Sequence, residues 1–302
     1  GKHKVIDMKD FTGQTVLKLK QAEIKEVNGE QKIAGEEYFL SGFSDLKIKP
    51  ADGKYFLAVL DENKYFKNSA VSDINNNGKS DDIFLFLAFK VKITKEMLET
   101  MKGIAKPDEN SEIWVYIPDT DMDMNVADEK PMFDYKYNFD IFDFVSPLSS
   151  KTPPFTMSAY IENGSLVINT NDGAHGSHCA GIAAGFKIYG AEGNNGIAPG
   201  AYIVSLKIGS NALSGGATTT ESMKKAYEYG IDFMKETGFE HAVFSMSYGI
   251  GSESASKGDV DKFMEKFAYG NPDIIICKSM GNAGPGINST GNPAGASGIL
   301  SV

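Results

Sequence analysis

The chain has 302 residues, 30 lysines plus arginines against 40 aspartates plus glutamates, a formal net charge of −10 and a hydrophobic share of 41%. That is an ordinary globular composition at a length suited to about two domains, each large enough to close a core without disulfides or a structural metal. All 30 lysine-or-arginine positions are lysines; without arginine's bidentate fork, and with an acidic balance, no nucleic-acid partner is expected.

The first residues, GKHKVIDMKDF, contain neither an initiator methionine nor a signal-type apolar region, and read as a piece of a longer polypeptide. No apolar run approaches the ~18–20 residues of a membrane span. Up to about residue 165 the texture is mainly β. The runs YFLAVLD (55–61), DIFLFLAFKV (82–91) and EIWVYIP (112–118) are separated by polar turns holding Gly and Asn. TMSAYIE and SLVINT flank Asn163-Gly164, a dipeptide suited to the positive φ angles of a tight hairpin. From about 172 the pattern alternates. AYIVSLKI (201–208), HAVFSMS (241–247) and DIIICKS (273–279) read as strands buried on both faces of a parallel sheet. Met223, Tyr227, Ile231 and Met234 recur at helical spacing behind Thr218–Thr220, and Val260, Phe263 and Phe267 do so within 257–270. The expectation is an α/β, doubly wound parallel sheet preceded by a β-rich module.

Three strings carry candidate chemistry. Gly173-Ala-His175-Gly-Ser-His178-Cys179-Ala-Gly181 is dense in small residues, which lets a helix start abruptly, pack tightly and hold a histidine at its N-terminus. Zinc is disfavoured, since only four histidines exist and no acidic partner of the HExxH kind accompanies these two. In Lys278-Ser-Met-Gly281-Asn282-Ala-Gly284 an asparagine between glycines follows a buried strand, where its amide can be aimed into a crevice; taken alone, it reads as a turn. Ser247-Tyr248-Gly249 ends another strand and can pair with an extended peptide, although alone it too is a strand end. Cys179 and Cys277 stand in apolar contexts that suit buried free thiols.

Taken in this order, the strings resemble the subtilisin-like serine proteases, with their HGTHVAG, SLGG-type and Gly-Asn motifs. Gly196-Ile-Ala-Pro199 matches that family's GVAP element. Within it the likeness is greatest to the tripeptidyl-peptidase II branch. GKHKVIDMKDFTG resembles that branch's segment shortly after the catalytic aspartate, and the residues that follow resemble its long insertion. The resemblance implies a subtilisin-like α/β fold in which 1–20 ends the N-terminal part of the core, 21–165 is the β-rich insertion and 166–302 carries the histidine and asparagine motifs. It implies His175 as general base, Asn282 as oxyanion donor, Ser247, Tyr248 and Gly249 as the substrate strand, and His178 as a packing residue. No Gly-Thr-Ser-Met-Ala string is present. The expectation is that nucleophile and aspartate lie outside this chain, which alone is inactive. Asp119-Thr120 is a rival for the aspartate, disfavoured because Asp121 and Asp123 crowd it with like charge. The two glutamates with which the tripeptidyl branch captures a substrate's ammonium correspond here to Ala217 and Ile250, and Glu221 is displaced, so the parent is expected to be an endopeptidase.

Two acidic loops lie in the insertion. Asp73-Ile-Asn75-Asn-Asn77-Gly78-Lys-Ser-Asp81 places oxygen ligands at positions one, three, five and nine of an EF-hand-like loop, with glycine at six; Phe84 stands where the bidentate glutamate belongs. Asp119-Thr-Asp121-Met-Asp123-Met-Asn125, with Asp128 and Glu129, is a second carboxylate-rich turn, with Met124 in place of the glycine. Structural calcium is therefore an expectation, with Asp73, Asn75, Asn77 and Asp81 as ligands; the chemistry itself needs no cofactor. Expected partners are a peptide or protein substrate and, by resemblance to the animal branch, further copies of the chain. Calcium-like loops and the acidic surface lean towards an exported bacterial protein, extracellular or in the cell envelope, whereas the animal tripeptidyl branch is cytosolic. Two rivals stay open: an inactive pseudoprotease that binds peptides, and a calcium-dependent surface protein.

Overall fold

The computed structural model describes residues 3–145, 152, 154, 156–170, 173–210, 219–249, 256–286 and 289–302. It divides into two compact units, Gly1–Thr219 and Thr220–Val302.

In the first unit, β1 (Val5–Asp10) runs parallel to a distant strand, Ile203–Lys207, described below as β11. Six strands follow, β3 (Lys20–Val27), β4 (Glu30–Ala34), β5 (Phe39–Leu40), β6 (Tyr55–Asp61), β7 (Ile83–Lys92) and β8 (Glu112–Pro118), after the short β2 (Val16–Lys18). They form one antiparallel sheet in the order β5-β4-β3-β6-β7-β8. The continuous apolar run of β7 is explained by burial on both faces. Phe84, Phe86 and Ala88 enter one core with Leu17, Met157, Ala159, Leu166 and Ile168, while Leu85, Leu87, Phe89 and Val91 enter another with Ile33, Leu40, Phe43 and Val115. The first core belongs also to a second sheet, β2-β10-β9, made with β9 (Ser158–Glu162) and β10 (Ser165–Asn169). Asn163 (φ 49°) and Gly164 (φ 71°) turn between them, as the dipeptide predicts. Aromatic packing is dense: Phe144 stacks on Phe84 at 4.0 Å between ring centroids and meets Phe86 edge-on at 5.8 Å. Short helices α1 (Glu62–Phe66), α2 (Lys95–Thr100) and α3 (Tyr135–Asn138) join these strands, and α4 (His175–Ala184) precedes β11 (Ile203–Lys207).

The second unit alternates α5 (Thr220–Thr237), β12 (Ala242–Met246), α6 (Asp259–Gly270) and β13 (Ile274–Lys278), ending in β14 (Leu300–Ser301). The strands are parallel, in the order β12-β13-β14. Met223, Tyr227 and Ile231 of α5 are buried as their spacing requires, and Tyr227 stacks on Phe244 of β12 at 4.9 Å and meets Phe267 of α6 edge-on at 5.2 Å. On α6 Asp261 and Met264 are buried, with Val260, Phe263 and Phe267 half-buried. The whole is α/β, with parallel pairing in both units and an antiparallel sheet occupying the middle of the first. The expected boundary at 165/166 falls at the start of β10.

Candidate active site

His175 is the first residue of α4 and stands exposed, as does His178. The density of small residues around it has a structural cause. A side chain at Gly196 would put its Cβ 2.5 Å from the carbonyl oxygen of Gly181, and one at Gly185 would stand 2.6 Å from that same oxygen. This close approach lets residues 196–198 cap the helix. The N–H groups of Gly196, Ile197 and Ala198 donate to the carbonyls of Gly185, Ile182 and Ala183 at 2.9, 3.0 and 2.8 Å, satisfying acceptors that a helix end otherwise leaves open. So the Gly-Ile-Ala-Pro element fixes the helix that presents His175. One turn along, the half-buried Cys179 holds its Sγ 3.9 Å from both ring nitrogens of His175. Among the described residues no carboxylate pairs with His175. Asp119 lies at the end of β8 and hydrogen-bonds within its own loop.

In the second unit, β12 leads into Ser247-Tyr248-Gly249 and its parallel neighbour β13 into Ser279-Met280-Gly281-Asn282. Both segments therefore leave the carboxyl edge of one sheet, where open α/β sheets place ligands. The Ser279 N–H donates to the Met246 carbonyl at 3.2 Å, Met280 N–H to Val302 at 2.8 Å and Gly291 N–H to Met280 at 2.8 Å, so the backbone before Asn282 is held on three sides. Gly281 takes φ 99°, a value that disfavours any side chain, and exposes Asn282 beside it. Ser247 and Gly249 are exposed and Tyr248 half-buried. His175 belongs to the first unit and Asn282 to the second; Ala217 and Ile250 lie outside the described residues.

Lys278, the last residue of β13, is a feature that reading the motifs alone overlooks. It is 1% exposed. Its Nζ donates to the Ser279 carbonyl at 2.8 Å and lies 3.0 Å from where a Cβ on Gly249 would stand. Among the described residues no carboxylate pairs with it, and burial pulls its ammonium down to about 8. A single charge within an apolar strand was the available signal.

The Asp73 loop is held by its own Asx chemistry. Asp73 accepts the N–H groups of Asn77 and Gly78 at 3.0 and 2.7 Å, while the side-chain amides of Asn75 and Asn77 both donate to Asp82 Oδ2, at 2.9 and 2.6 Å. Beneath it the buried Glu62 accepts the N–H groups of Ile74 and Asp82 at 2.6 and 3.2 Å. Desolvation pushes the Glu62 carboxyl up to about 7.

Residues 110–302 match the family model described as the Subtilase family. The chain belongs to the subtilase family. Among curated relatives, pyrolysin of Pyrococcus furiosus is 26% identical over 361 aligned positions that take in 100% of this chain and 23% of that protein. Tripeptidyl-peptidase 2 of Caenorhabditis elegans is 34% identical over 131 residues, 43% of the chain and 9% of that protein, and the Arabidopsis thaliana protein of that name is 31% identical over 187 residues, 59% and 12% respectively. The subtilase chain thus spans less than a quarter of the length of these relatives. In three dimensions it is similar to the crystal structure of tripeptidyl peptidase 2, with a TM-score of 0.69 over 99% of this chain and 25% of that one at 17% sequence identity. The α/β architecture of this subtilase is accordingly the subtilisin-like fold, of the tripeptidyl-peptidase II kind.

Proposed function

We propose that this chain is the part of a serine peptidase that carries the general base and the oxyanion donor, and that the whole protein hydrolyses peptide bonds through an acyl-serine intermediate. The observation that carries this reading is the placing of His175 on the first turn of a helix locked by Gly196–Ala198, within a subtilase match over residues 110–302.

In this reading the imidazole of His175 takes the proton of a serine hydroxyl as that oxygen attacks the substrate carbonyl, then returns it to the leaving amine. An aspartate fixes its tautomer. The exposed amide of Asn282 donates to the oxyanion that forms on the carbonyl oxygen. Ser247–Gly249, continuing an extended strand with an exposed glycine, pairs with the substrate backbone. The 302-residue sequence holds no Gly-Thr-Ser-Met-Ala string, so by itself this chain binds peptide without cleaving it. The substrate is a peptide or protein cut internally. Glu221, the acidic residue near the expected ammonium-binding positions, sits exposed on α5 and pairs instead with Lys225 at 3.5 Å.

The test is a fluorophosphonate probe applied to the full open reading frame, with His175→Ala as control, followed by digestion of an N-terminally blocked peptide. Labelling that vanishes in the control, with cleavage of the blocked peptide, is the expected result. An intact fold that never labels would replace the peptidase by a peptide-binding pseudoprotease, and release of tripeptides from free N-termini alone would overturn the endopeptidase assignment.

A further inference from the structure

The end of β8 concentrates negative charge on one point. One carboxylate oxygen from each of Asp119, Asp121 and Glu129 lies within 4.8 Å of the others. Among the described residues no lysine or histidine pairs with any of the three. Clusters of exposed carboxylates are common and mean little, but Asp119 is not exposed: it is 2% accessible. Its Oδ2 accepts the Met124 N–H at 3.1 Å, and its Oδ1, equally buried, has no hydrogen-bond partner. A buried acceptor left in that state is costly unless something fills its lone pairs.

The surrounding backbone holds the carboxylates in place. The N–H of Asp119 donates to Leu85 of β7 at 2.9 Å, the Thr120 carbonyl accepts from Val145 at 2.8 Å, and Ser41 donates its N–H to the Met124 carbonyl at 2.9 Å and accepts the Val126 N–H at 3.1 Å. Glu129 reaches back across the turn, its Oε1 accepting both the N–H and the hydroxyl of Thr120, at 2.5 and 2.6 Å. That leaves its other oxygen available. Desolvation, with Asp123, Asp121 and Glu129 as like-charged neighbours, pushes the Asp119 carboxyl up to about 7, and burial likewise raises Glu129. These are groups arranged for a positive charge.

We propose that Asp119, Asp121 and Glu129 form a cation site selective for calcium at the end of β8, with the orphaned Oδ1 of Asp119 as its innermost ligand. The donors are all hard oxygens on a turn, which suits calcium's flexible shell of six to eight oxygens better than magnesium's rigid octahedron. The bound ion would tie the 119–129 turn to β8, and does so whether or not the chain takes part in proteolysis.

The experiment is calorimetric titration of the EDTA-treated chain with calcium chloride, paired with thermal unfolding with and without the ion. Wild type is expected to bind calcium and to unfold at a higher temperature in its presence. Asp119→Asn and Glu129→Gln should each remove one equivalent or weaken it more than tenfold. Asp121→Asn, at a half-buried position, does the same should the interior variant fail to fold. Asp73→Asn, in the other acidic loop, should leave that equivalent in place. No calcium binding up to millimolar concentration, an equivalent lost in Asp73→Asn but retained in Asp119→Asn, or equal affinity for magnesium would each overturn the assignment.

Discussion

Replacing Lys278 by methionine keeps the unbranched apolar stem and removes the ammonium. The folded-state value of about 8, set by burial, lies roughly 2.5 units below an exposed lysine, and at ~1.36 kcal/mol per unit the charged form costs the fold about 3 kcal/mol at neutral pH. Losing the hydrogen bond to the Ser279 carbonyl gives back about 1 kcal/mol. Lys278→Met should therefore stabilise the protein by about 2 kcal/mol at pH 7. The sign with pH follows from proton uptake. Between about 8 and 10.5 the unfolded chain still binds the lysine's proton while the folded chain has released it, so wild-type stability rises with pH across that window. Below pH 8 both states carry the proton, and the difference between variant and wild type is constant. Urea unfolding followed by far-UV circular dichroism at pH 7, 9 and 10.5, read as variant minus wild type, isolates this group from the other lysines and tyrosines. The expected difference shrinks by about 3 kcal/mol across the window. A variant less stable than wild type at pH 7, or a difference that does not change with pH, would refute the argument that the ammonium is held at a desolvation cost.

Other perturbations test other parts of the structure. Phe144→Ala removes a fully buried ring stacked on Phe84 at 4.0 Å and should cost about 3–5 kcal/mol in a denaturant titration; a loss under 1 kcal/mol would mean that the aromatic core repacks freely. Gly42→Ala must take φ 75° and place its Cβ 1.9 Å from Asn125 Oδ1, whereas Gly53→Ala takes φ 73° with nothing within 4 Å. The first should cost well above the ~1–2 kcal/mol of a left-handed residue and the second no more than that, and equal melting temperatures would contradict the crowding. In the full-length protein, the proposed oxyanion role of Asn282 predicts that Asn282→Ala lowers kcat by about 10²–10³-fold with little change in KM, the loss known for such a donor in a subtilisin; unchanged kcat would remove Asn282 from the proposed chemistry.

Much of this was legible in the sequence because the relevant signals are local. The apolar runs at 55–61, 82–91 and 112–118 became β6, β7 and β8, and Asn163-Gly164 became a hairpin turn. The alternation after residue 172 gave β11, α5, β12, α6 and β13. The hairpin of β3 and β4 escaped notice because its strands are largely exposed and charged, so no apolar run marks them. Yet Asn28 (φ 54°) and Gly29 (φ 82°) form a dipeptide turn of the kind recognised at Asn163-Gly164, and could have marked it. The composition of the Asp119 turn was visible; the burial of Asp119 was not, since it depends on β7 and residue 145 closing over the end of β8. In the same way the burial of Lys278 depends on its place in the sheet, which a residue-by-residue reading does not supply.

The pairing of β1 with β11 has a consequence for how the polypeptide matures. Val5 meets Ile203 and Asp10 meets Lys207, so during synthesis at ~5–20 residues per second β1 waits roughly 10–40 s for its partner to emerge. Through that interval Ile6, 1% exposed in the finished structure, and the edge of β1 that β11 later covers lack that cover. The intervening segment has two cores of its own and pairs mostly between sequence neighbours, so it can condense first and shorten the loop that β1 must close. A lesion such as Phe144→Ala would then slow maturation as well as weaken the product, prolonging the time for which β1 is free to pair with the wrong chain.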